Sequence, residues 1–338
     1  MPLIAYSGLP AFEFLRREGC DVIAPDEAAH LSLPALRIGL LNLMPDAALQ
    51  ATERQFLRLI NAYGRSANLY VFPFAVEAGD RADIARAHIN AYYSDFAELQ
   101  ADGLDALIIT GANPARTDIT VEPFWQPMLD VIDWGREHVA STLCSCLATH
   151  AVLHHYHGKK RRELPQRQWG VYDHEILVPE HPLLAGLSTP VSAPHSHRFA
   201  ITRDDMEAAG LTVLIDSAEA GVHLAVDPDA QRLILFQGHP EYDAISLLKE
   251  YKREVQRFLT GNRQSYPPFP EHYLDAAAMR RLDVFQRKVT ECDFEQSTLP
   301  AFPEDELSGH YFDTWGEAGR MIYRNWLGLL VSDSAAVV

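Results

Sequence analysis

Cysteine is scarce in this chain, with four residues among 338, and no pair has the C-x-x-C spacing of a zinc or redox site. A disulfide framework is therefore not expected, and a reducing, cytoplasmic location is the expectation. Long apolar runs are missing as well, so no segment is predicted to cross a bilayer. The N-terminal stretch lacks the pattern of a signal peptide. Together these absences predict a globular protein without a membrane partner.

Positive charge is also in short supply. The chain has 29 lysines and arginines against 46 aspartates and glutamates, a formal net charge of −17. This balance argues against a nucleic acid or an anionic membrane as the main partner. It does not exclude a small anionic substrate, because a local cluster of arginines can override the mean field.

Short apolar runs alternate with helical patterns through the first half of the chain. Strands are predicted in LRIGLLNL, NLYVFPF, LDALIITGA and VASTLCSC, and helices in the segments between them, including one helix over DIARAHINAYYSDFAELQ. This alternation predicts a doubly wound, mostly parallel sheet. Beyond Gly158 the pattern resembles a meander, followed by an amphipathic helix in AISLLKEYKREVQRFLTG. We expect an α/β domain at residues 36–262, an N-terminal extension at 1–35 and a C-terminal extension at 263–338.

Two of the cysteines lie in STLCSCLATHAVLHHYHG, which begins like a buried strand and ends like a helix. Ligands bind beyond the carboxyl ends of the strands in an open α/β sheet. A nucleophile at such a sharp turn needs small residues two positions before and after it. Cys144 and Ala148 meet that requirement for Cys146, and the helix N-terminus favours its thiolate. The alternative is that both cysteines are packing residues, since cysteine is among the most buried residue types.

A second segment, LILFQGHPEYDA, favours catalysis. His239 and Glu241 follow an apolar strand and are two residues apart, so on an extended chain they point the same way. The carboxylate would orient the imidazole, which would take and return a proton. An oxyanion hole is predicted from backbone N–H groups of Leu147 and of Gly111 or Ala112. The histidine-rich HHYHG segment suits a helix end and has no further ligand cluster, so no metal site is predicted.

Six motifs also occur in the order of a known family: GLLNLMP, TGA, GVYDHEIL, APHS, GHPEYDA and NWL. They resemble the homoserine O-acyltransferases of methionine biosynthesis, the homoserine transsuccinylase family. The resemblance covers residues 36–260, with a weaker C-terminal match. It implies a class I glutamine-amidotransferase-like (flavodoxin-like) α/β fold, a homodimer and no bound cofactor.

The resemblance implies a ping-pong mechanism with an acyl-coenzyme A as co-substrate. Cys146 attacks the thioester and becomes acylated, His239 then activates the γ-hydroxyl of L-homoserine, and Glu241 orients His239. The family pattern also implies three substrate contacts: Arg253, which would bind the α-carboxylate, Ser196 and Arg167. Without the resemblance, Arg253 would be interpreted as an exposed helix charge and Ser196 as a turn hydroxyl. Arg167 stands where the family has a lysine and keeps its charge but not its shape.

The acyl group depends on the segment after TGA. Ala115 stands where the family carries glycine in succinyl users and glutamate in acetyl users, and Arg116 follows it. A small residue beside an arginine favours succinyl-CoA over acetyl-CoA. Serine stays open as an alternative acceptor, because Asp46 replaces the lysine that usually follows NLMP. The same residues would also be compatible with a glutamine amidotransferase-like hydrolase or with a non-catalytic binding protein.

Overall fold

The computed structural model describes residues 1–61, 66–77, 79–228, 232–291 and 300–336. Eleven strands of these segments form one sheet: β1 Leu3–Ile4, β2 Val22–Ile23, β3 Ala35–Leu41, β4 Asn68–Phe74, β5 Ala106–Ile109, β6 Ser141–Ser145, β7 Arg162–Ile176, β8 Val191–Ala200, β9 Thr212–Ser217, β10 Gly221–Val226 and β11 Leu233–Phe236. Their order is β2-β1-β4-β3-β5-β6-β11-β10-β9-β7-β8. In this sheet order, the seven strands from β2 to β11 run parallel to one another. The other four strands, β10, β9, β7 and β8, each pair antiparallel with their neighbours.

Helices connect these strands and flank the sheet. They are α1 Pro10–Arg17, α2 Pro25–Ala29, α3 Leu49–Asn61, α4 Asp83–Tyr92, α5 Phe96–Asp102, α6 Trp125–His138, α7 Leu147–His157, α8 Arg203–Ala208, α9 Ser246–Leu259, α10 Ala276–Glu291 and α11 Gly316–Ala336. No helix in the described ranges has the length and hydropathy that a membrane crossing requires.

The parallel strands are buried on both faces, which explains their nearly continuous apolar sequences. On one face, side chains of β3 such as Ile38 and Leu40 join a core with α1, α3 and α11. On the other face, Leu41 joins a core with α6 and α7. Helices on both sides of a mostly parallel sheet confirm the doubly wound prediction. Residues 1–35 contribute β1 and β2 to this sheet, and β1 pairs with β4.

A third core lies beside the antiparallel half of the sheet. It joins the Trp169 end of β7 to the apolar faces of α9 and α10, with Leu248, Leu282 and Trp315 among its buried members. The backbone of Gly170 touches that of Glu271 so closely that an added Cβ would lie 2.2 Å from the Glu271 carbonyl oxygen. The third core therefore anchors residues after α9 against β7.

Two details of the secondary structure differ from the prediction. The single helix expected over DIARAHINAYYSDFAELQ is wrong, because it divides into α4 and α5. The Asp95 side chain accepts hydrogen bonds from the backbone N–H groups of Ala97 and Glu98 and so begins a new helix. The strand expected at HEILV is only the end of β7, which is 15 residues long and pairs with β8, a strand that the sequence pattern did not predict.

Candidate active site

Cys146 occupies the sharp turn between β6 and α7. Its backbone has φ +50° and ψ −105°, a conformation that non-glycine residues rarely adopt. Strain of this kind is found at functional turns that the surrounding structure holds in place. Cys144 and Ala148, two residues away on each side, are fully buried, while Cys146 itself is half-buried. The turn thus exposes one sulfur at the carboxyl edge of the sheet.

His239 reaches the same edge from the neighbouring strand. β11 pairs in parallel with β6, and Phe236 lies opposite Ser145, so the segments that follow both strands meet. Cys146 is close enough to His239 to help raise the pKa of the imidazole. On its other side, His239 Nδ1 lies 2.8 Å from Glu241 Oε1. This is the nucleophile–base–orienter order that acyl transfer through a covalent intermediate needs.

Electrostatics stabilise the charged form of His239. Burial alone lowers the pKa of His239, but the Glu241 carboxylate and the Cys146 thiolate beside it outweigh burial and hold that pKa well above its usual value. His239 and Glu241 are each only 7 % exposed, so water screens their interaction little. The arrangement favours an imidazolium held by the Glu241 carboxylate.

The predicted oxyanion residues lie against the nucleophile. A Cβ built on Gly111 would lie 3.4 Å from the Cys146 Cβ and 4.0 Å from the backbone nitrogen of Leu147. The loop after β5 therefore passes next to the turn at Gly111. Ala112 follows Gly111 and lines an adjoining cavity.

This cavity has a volume of about 610 Å³. Its walls include the NLMP loop, from Leu43 to Ala47, and the loop after β5, where Ala115 and Arg116 are found. The two segments implicated in acceptor and acyl recognition therefore meet around one space. Asp46, which stands where the family usually has lysine, pairs with Arg81 at 3.0 Å.

A partly buried carboxylate that the sequence pattern did not reveal gathers two of the predicted substrate contacts. Glu250 Oε2 accepts hydrogen bonds from Arg167 at 2.9 Å, Ser196 at 2.6 Å and Trp169 at 2.8 Å. Glu250 Oε1 accepts one from Tyr242 at 2.7 Å. Burial raises the pKa of Glu250, but Arg167 and the hydroxyl donors outweigh burial, so the pKa is lowered. Arg167 and Ser196 are themselves 2.5 Å apart.

Arg253 lies one helical turn beyond Glu250 on α9. Its side chain is 47 % exposed, and its Nε is 3.8 Å from Glu254 Oε1. The positive charge of Arg253 also acts on Glu250 and helps to lower its pKa. Arg253 is therefore a solvent-accessible cation next to Glu250. The sequence signal that could have indicated Glu250 was its i,i+3 spacing from Arg253.

A group of buried histidines also gave no clear signal in the sequence. His174 Nε2 lies 3.0 Å from His195 Nε2, and His195 Nδ1 lies 2.9 Å from His197 Nε2. Burial lowers the pKa of each ring, in the case of His197 to about 3. The HSH pattern on β8 was the available signal, since residues i and i+2 of a strand share a face. These rings form a neutral wall near His239.

One group of described residues has the spacing of metal ligands: Glu219, Glu271 and His272. All three are exposed, and none lines the 610 Å³ cavity. Exposed acidic groups of this kind are common in proteins without a metal.

Comparison with known proteins places these residues in a family. The family model described as homoserine O-succinyltransferase matches residues 2–337. The homoserine O-succinyltransferase of Allochromatium vinosum is 48 % identical over 330 residues, which are 98 % of this chain and 92 % of the relative. The homoserine O-succinyltransferase of Nitrosococcus oceani is 49 % identical over 328 residues, which are 97 % of this chain and 92 % of the relative.

Solved structures with a similar course of the chain include two glutamine amidotransferases. The one from Methylobacillus flagellatus has a TM-score of 0.48 and 14 % identity, covering 88 % of this chain and 95 % of that one. The one from Thermotoga maritima has a TM-score of 0.45 and 11 % identity, covering 88 % and 98 %. The match to the family model over nearly the whole chain, with relatives close to half identical, shows that this protein belongs to the homoserine O-succinyltransferase family.

Proposed function

We propose that the protein transfers the succinyl group of succinyl-coenzyme A to the γ-hydroxyl of L-homoserine through a thioester on Cys146. The observation that carries this proposal is the placement of Cys146, at a strained turn, beside the strand end that carries His239, which Glu241 holds at 2.8 Å. The names of the relatives support succinyl as the group and homoserine as the acceptor.

In the first half-reaction the Cys146 thiolate attacks the thioester carbonyl carbon. The oxyanion that develops accepts hydrogen bonds from the backbone N–H of Leu147 and of Gly111 or Ala112. When the intermediate collapses, the bond between the carbonyl carbon and the sulfur of coenzyme A breaks. The leaving thiolate takes the proton of the His239 imidazolium, so the acyl-enzyme forms with His239 neutral and ready to act as a base.

In the second half-reaction His239 removes the proton from the homoserine hydroxyl. The alkoxide attacks the Cys146 thioester, the new ester bond forms, and the C–S bond to Cys146 breaks. The Cys146 thiolate and the His239 imidazolium are then restored. Arg253 and Ser196 are proposed to hold the α-carboxylate and to orient homoserine, with Arg167 positioned through Glu250.

Ala115 and Arg116 are proposed to influence which acyl group is accepted. The methyl side chain of Ala115 leaves space in the 610 Å³ cavity, and Arg116 adds positive charge to its wall. No bound cofactor takes part, since coenzyme A enters and leaves as part of a substrate. A homodimer is proposed for the assembly, which light scattering of the purified protein would test.

The proposal is tested by the intact mass of the protein after mixing with succinyl-CoA or acetyl-CoA without an acceptor. A gain of one succinyl group that disappears in Cys146→Ala is expected. L-Homoserine should then discharge the acyl-enzyme faster than L-serine. Acylation by acetyl-CoA alone would contradict the donor, discharge by serine alone would contradict the acceptor, and glutaminase activity without acylation would favour an amidotransferase-like hydrolase. Absence of both activities would indicate a non-catalytic binding protein.

A further inference from the structure

A second cavity, of about 360 Å³, is lined in part by α7, the helix that follows Cys146. Its walls come from α7, from the segment after Arg116 and from the residues just before β7. Two of the lining side chains, Lys160 and Arg161, are cationic, and two are imidazole groups, His150 and His154. The cavity shares no lining residue with the 610 Å³ cavity.

Arg161 is held in this cavity by contacts that form no ion pair. Its NH2 donates to the carbonyl oxygen of Thr117 at 2.7 Å, and its guanidinium carbon lies 4.0 Å above the Phe199 ring. Its Nε is buried without a hydrogen-bond partner. Asp118 also lines the cavity, but its carboxylate accepts hydrogen bonds from the backbone and hydroxyl of Thr120. In the described part of the chain, no carboxylate lies within ion-pair distance of Arg161. Arg161 is thus a cation held in one position, and its Nε–H has no acceptor, which suits the binding of an anion.

His150 provides a second unsatisfied atom in the same cavity. The ring is 3 % exposed, and its Nε2 lies 3.1 Å from Gln237 Oε1. The Gln237 amide nitrogen donates to the carbonyl oxygens of Ile201 and Val222, so its Oε1 is the acceptor and His150 Nε2 the donor. Burial lowers the pKa of His150 to about 4, which keeps the ring neutral. Its Nδ1 is therefore a buried acceptor without a partner.

Arg161 in this cavity also interacts electrostatically with the nucleophile Cys146. Burial lowers the pKa of Arg161, and the negative charges of Cys146 and Glu122 offset part of this effect. His150 is one turn of α7 beyond Cys146, and its backbone N–H points to the Cys146 carbonyl at 3.4 Å. A succinyl group carries its carboxylate two methylene groups from the carbonyl that becomes attached to sulfur. The carboxylate of a succinyl group on Cys146 would therefore come within electrostatic range of Arg161.

We propose that this cavity is the subsite for the terminal carboxylate of the succinyl group, with Arg161 as its direct counter-ion. The carboxylate accepts a hydrogen bond from Arg161 Nε–H, and one water molecule donates both to the carboxylate and to His150 Nδ1. Both orphaned atoms are then satisfied, and Lys160 adds positive charge at the rim. This inference rests on the proposed function and adds Arg161 to Ala115 and Arg116 as a residue that influences which acyl group is accepted.

The test compares two donors that differ only at the far end of the acyl chain. Butyryl-CoA has a methyl group where succinyl-CoA has its carboxylate. The rate of Cys146 acylation is measured by intact mass for the wild-type protein and for Arg161→Gln, Arg161→Lys, Arg162→Gln and Arg116→Gln. Arg162 is the matched control, because it is an exposed neighbour that pairs with Asp205 outside the cavity.

Arg161→Gln should lower the acylation rate with succinyl-CoA by about 100-fold and leave the rate with butyryl-CoA within about threefold of wild type. Arg161→Lys should fall between the two, because it keeps the charge without the planar fork. Arg162→Gln should change neither rate. This pattern would separate carboxylate binding from binding of the coenzyme A phosphates, which both donors carry.

Three results would overturn the inference. Equal losses with both donors would assign Arg161 to the coenzyme A phosphates or to structure, and equal retention of both rates would show that it does not bind the acyl group. A selective loss in Arg116→Gln but not in Arg161→Gln would move the subsite to the larger cavity. Failure of the proposed function is distinct, since the wild-type protein would then be acylated by neither donor.

Discussion

Replacing Glu241 with glutamine isolates the charge of the orienting carboxylate. Glutamine has nearly the same size and keeps an oxygen that can accept from His239 Nδ1–H, so the change removes mainly the negative charge. In the wild-type protein the two groups are 2.8 Å apart, and each is 7 % exposed. Losing one partner of a desolvated, hydrogen-bonded charge pair costs about 2–5 kcal/mol. Acylation of Cys146 should therefore slow by about 30- to 5,000-fold.

The pH dependence gives a second readout of the same change. Glu241 is the strongest of the influences that raise the pKa of His239, and burial opposes it. Without the carboxylate, burial has less opposition, and the pKa of His239 falls. Because loss of the imidazolium sets the alkaline limb of the acylation profile, that limb should move to lower pH in Glu241→Gln. The assay is the single-turnover rate of acylation by succinyl-CoA, followed by intact mass across a pH series.

A matched control exists elsewhere in the chain. Glu53 forms another buried pair with a histidine, with 2.8 Å between its Oε1 and His88 Nε2, and it is 1 % exposed. Glu53→Gln removes the same charge from a similar environment and should leave the alkaline limb in place. An acylation rate in Glu241→Gln close to that of wild type, or an unmoved alkaline limb, would refute the orienting role of Glu241.

Three further predictions follow from the packing and charges around the turn. Iodoacetamide should modify Cys146 near neutral pH and leave Cys144 untouched, because burial raises the pKa of the Cys144 thiol to about 12; peptide mapping that finds Cys144 labelled would contradict this. Gly238→Ala should lower the free energy of unfolding by more than about 2 kcal/mol in denaturant titration, since the new Cβ would lie 2.5 Å from a buried histidine nitrogen. An unfolding midpoint equal to that of the wild type would contradict this prediction, because it would show that the histidine can move aside. The free energy of unfolding should fall as the pH drops below about 6.5, because His150 and His197 are protonated in the unfolded chain but stay neutral in the folded protein, where their pKa values are about 4 and about 3. At pH 5 the expected loss is about 2 kcal/mol for each histidine. A melting temperature that does not change between pH 7 and pH 5 would contradict this prediction.

The parallel half of the sheet was accessible from the sequence for a local reason. Strands buried on both faces need continuous apolar runs, and each crossover between parallel strands needs a helix. The alternation of β3 to β6 with their helices can therefore be predicted from the order of apolar runs and helical spacings in the sequence. The same holds for α9, whose amphipathic spacing matches Ser246–Leu259. Small residues around Cys146 and the His-x-Glu spacing after β11 likewise placed three candidate groups at strand ends.

Other features depend on contacts between distant parts of the chain. Asp95 divides a segment of helical character because its side chain reaches backbone N–H groups, a choice that propensity alone does not decide. β8 has little apolar alternation because His195 and His197, two of its alternate residues, are buried against other polar groups. The long pairing of β7 with β8 supplies what the sequence pattern lacks.

By itself, the sequence determined the doubly wound parallel core, the family and the residue types available for acyl transfer, since these follow from local periodicity and short motifs. Only the tertiary structure decided which charges are buried and what they face. Glu250 lies on a helix rich in exposed charges, yet β7 and β8 cover it and turn it into the acceptor for Arg167 and Ser196. Arg161 lies among basic residues that resemble a solvated stretch, yet Phe199 and the Thr117 carbonyl hold it near the nucleophile. Burial and charge pairing arise from residues that are tens of positions apart in the chain, and no local pattern encodes them.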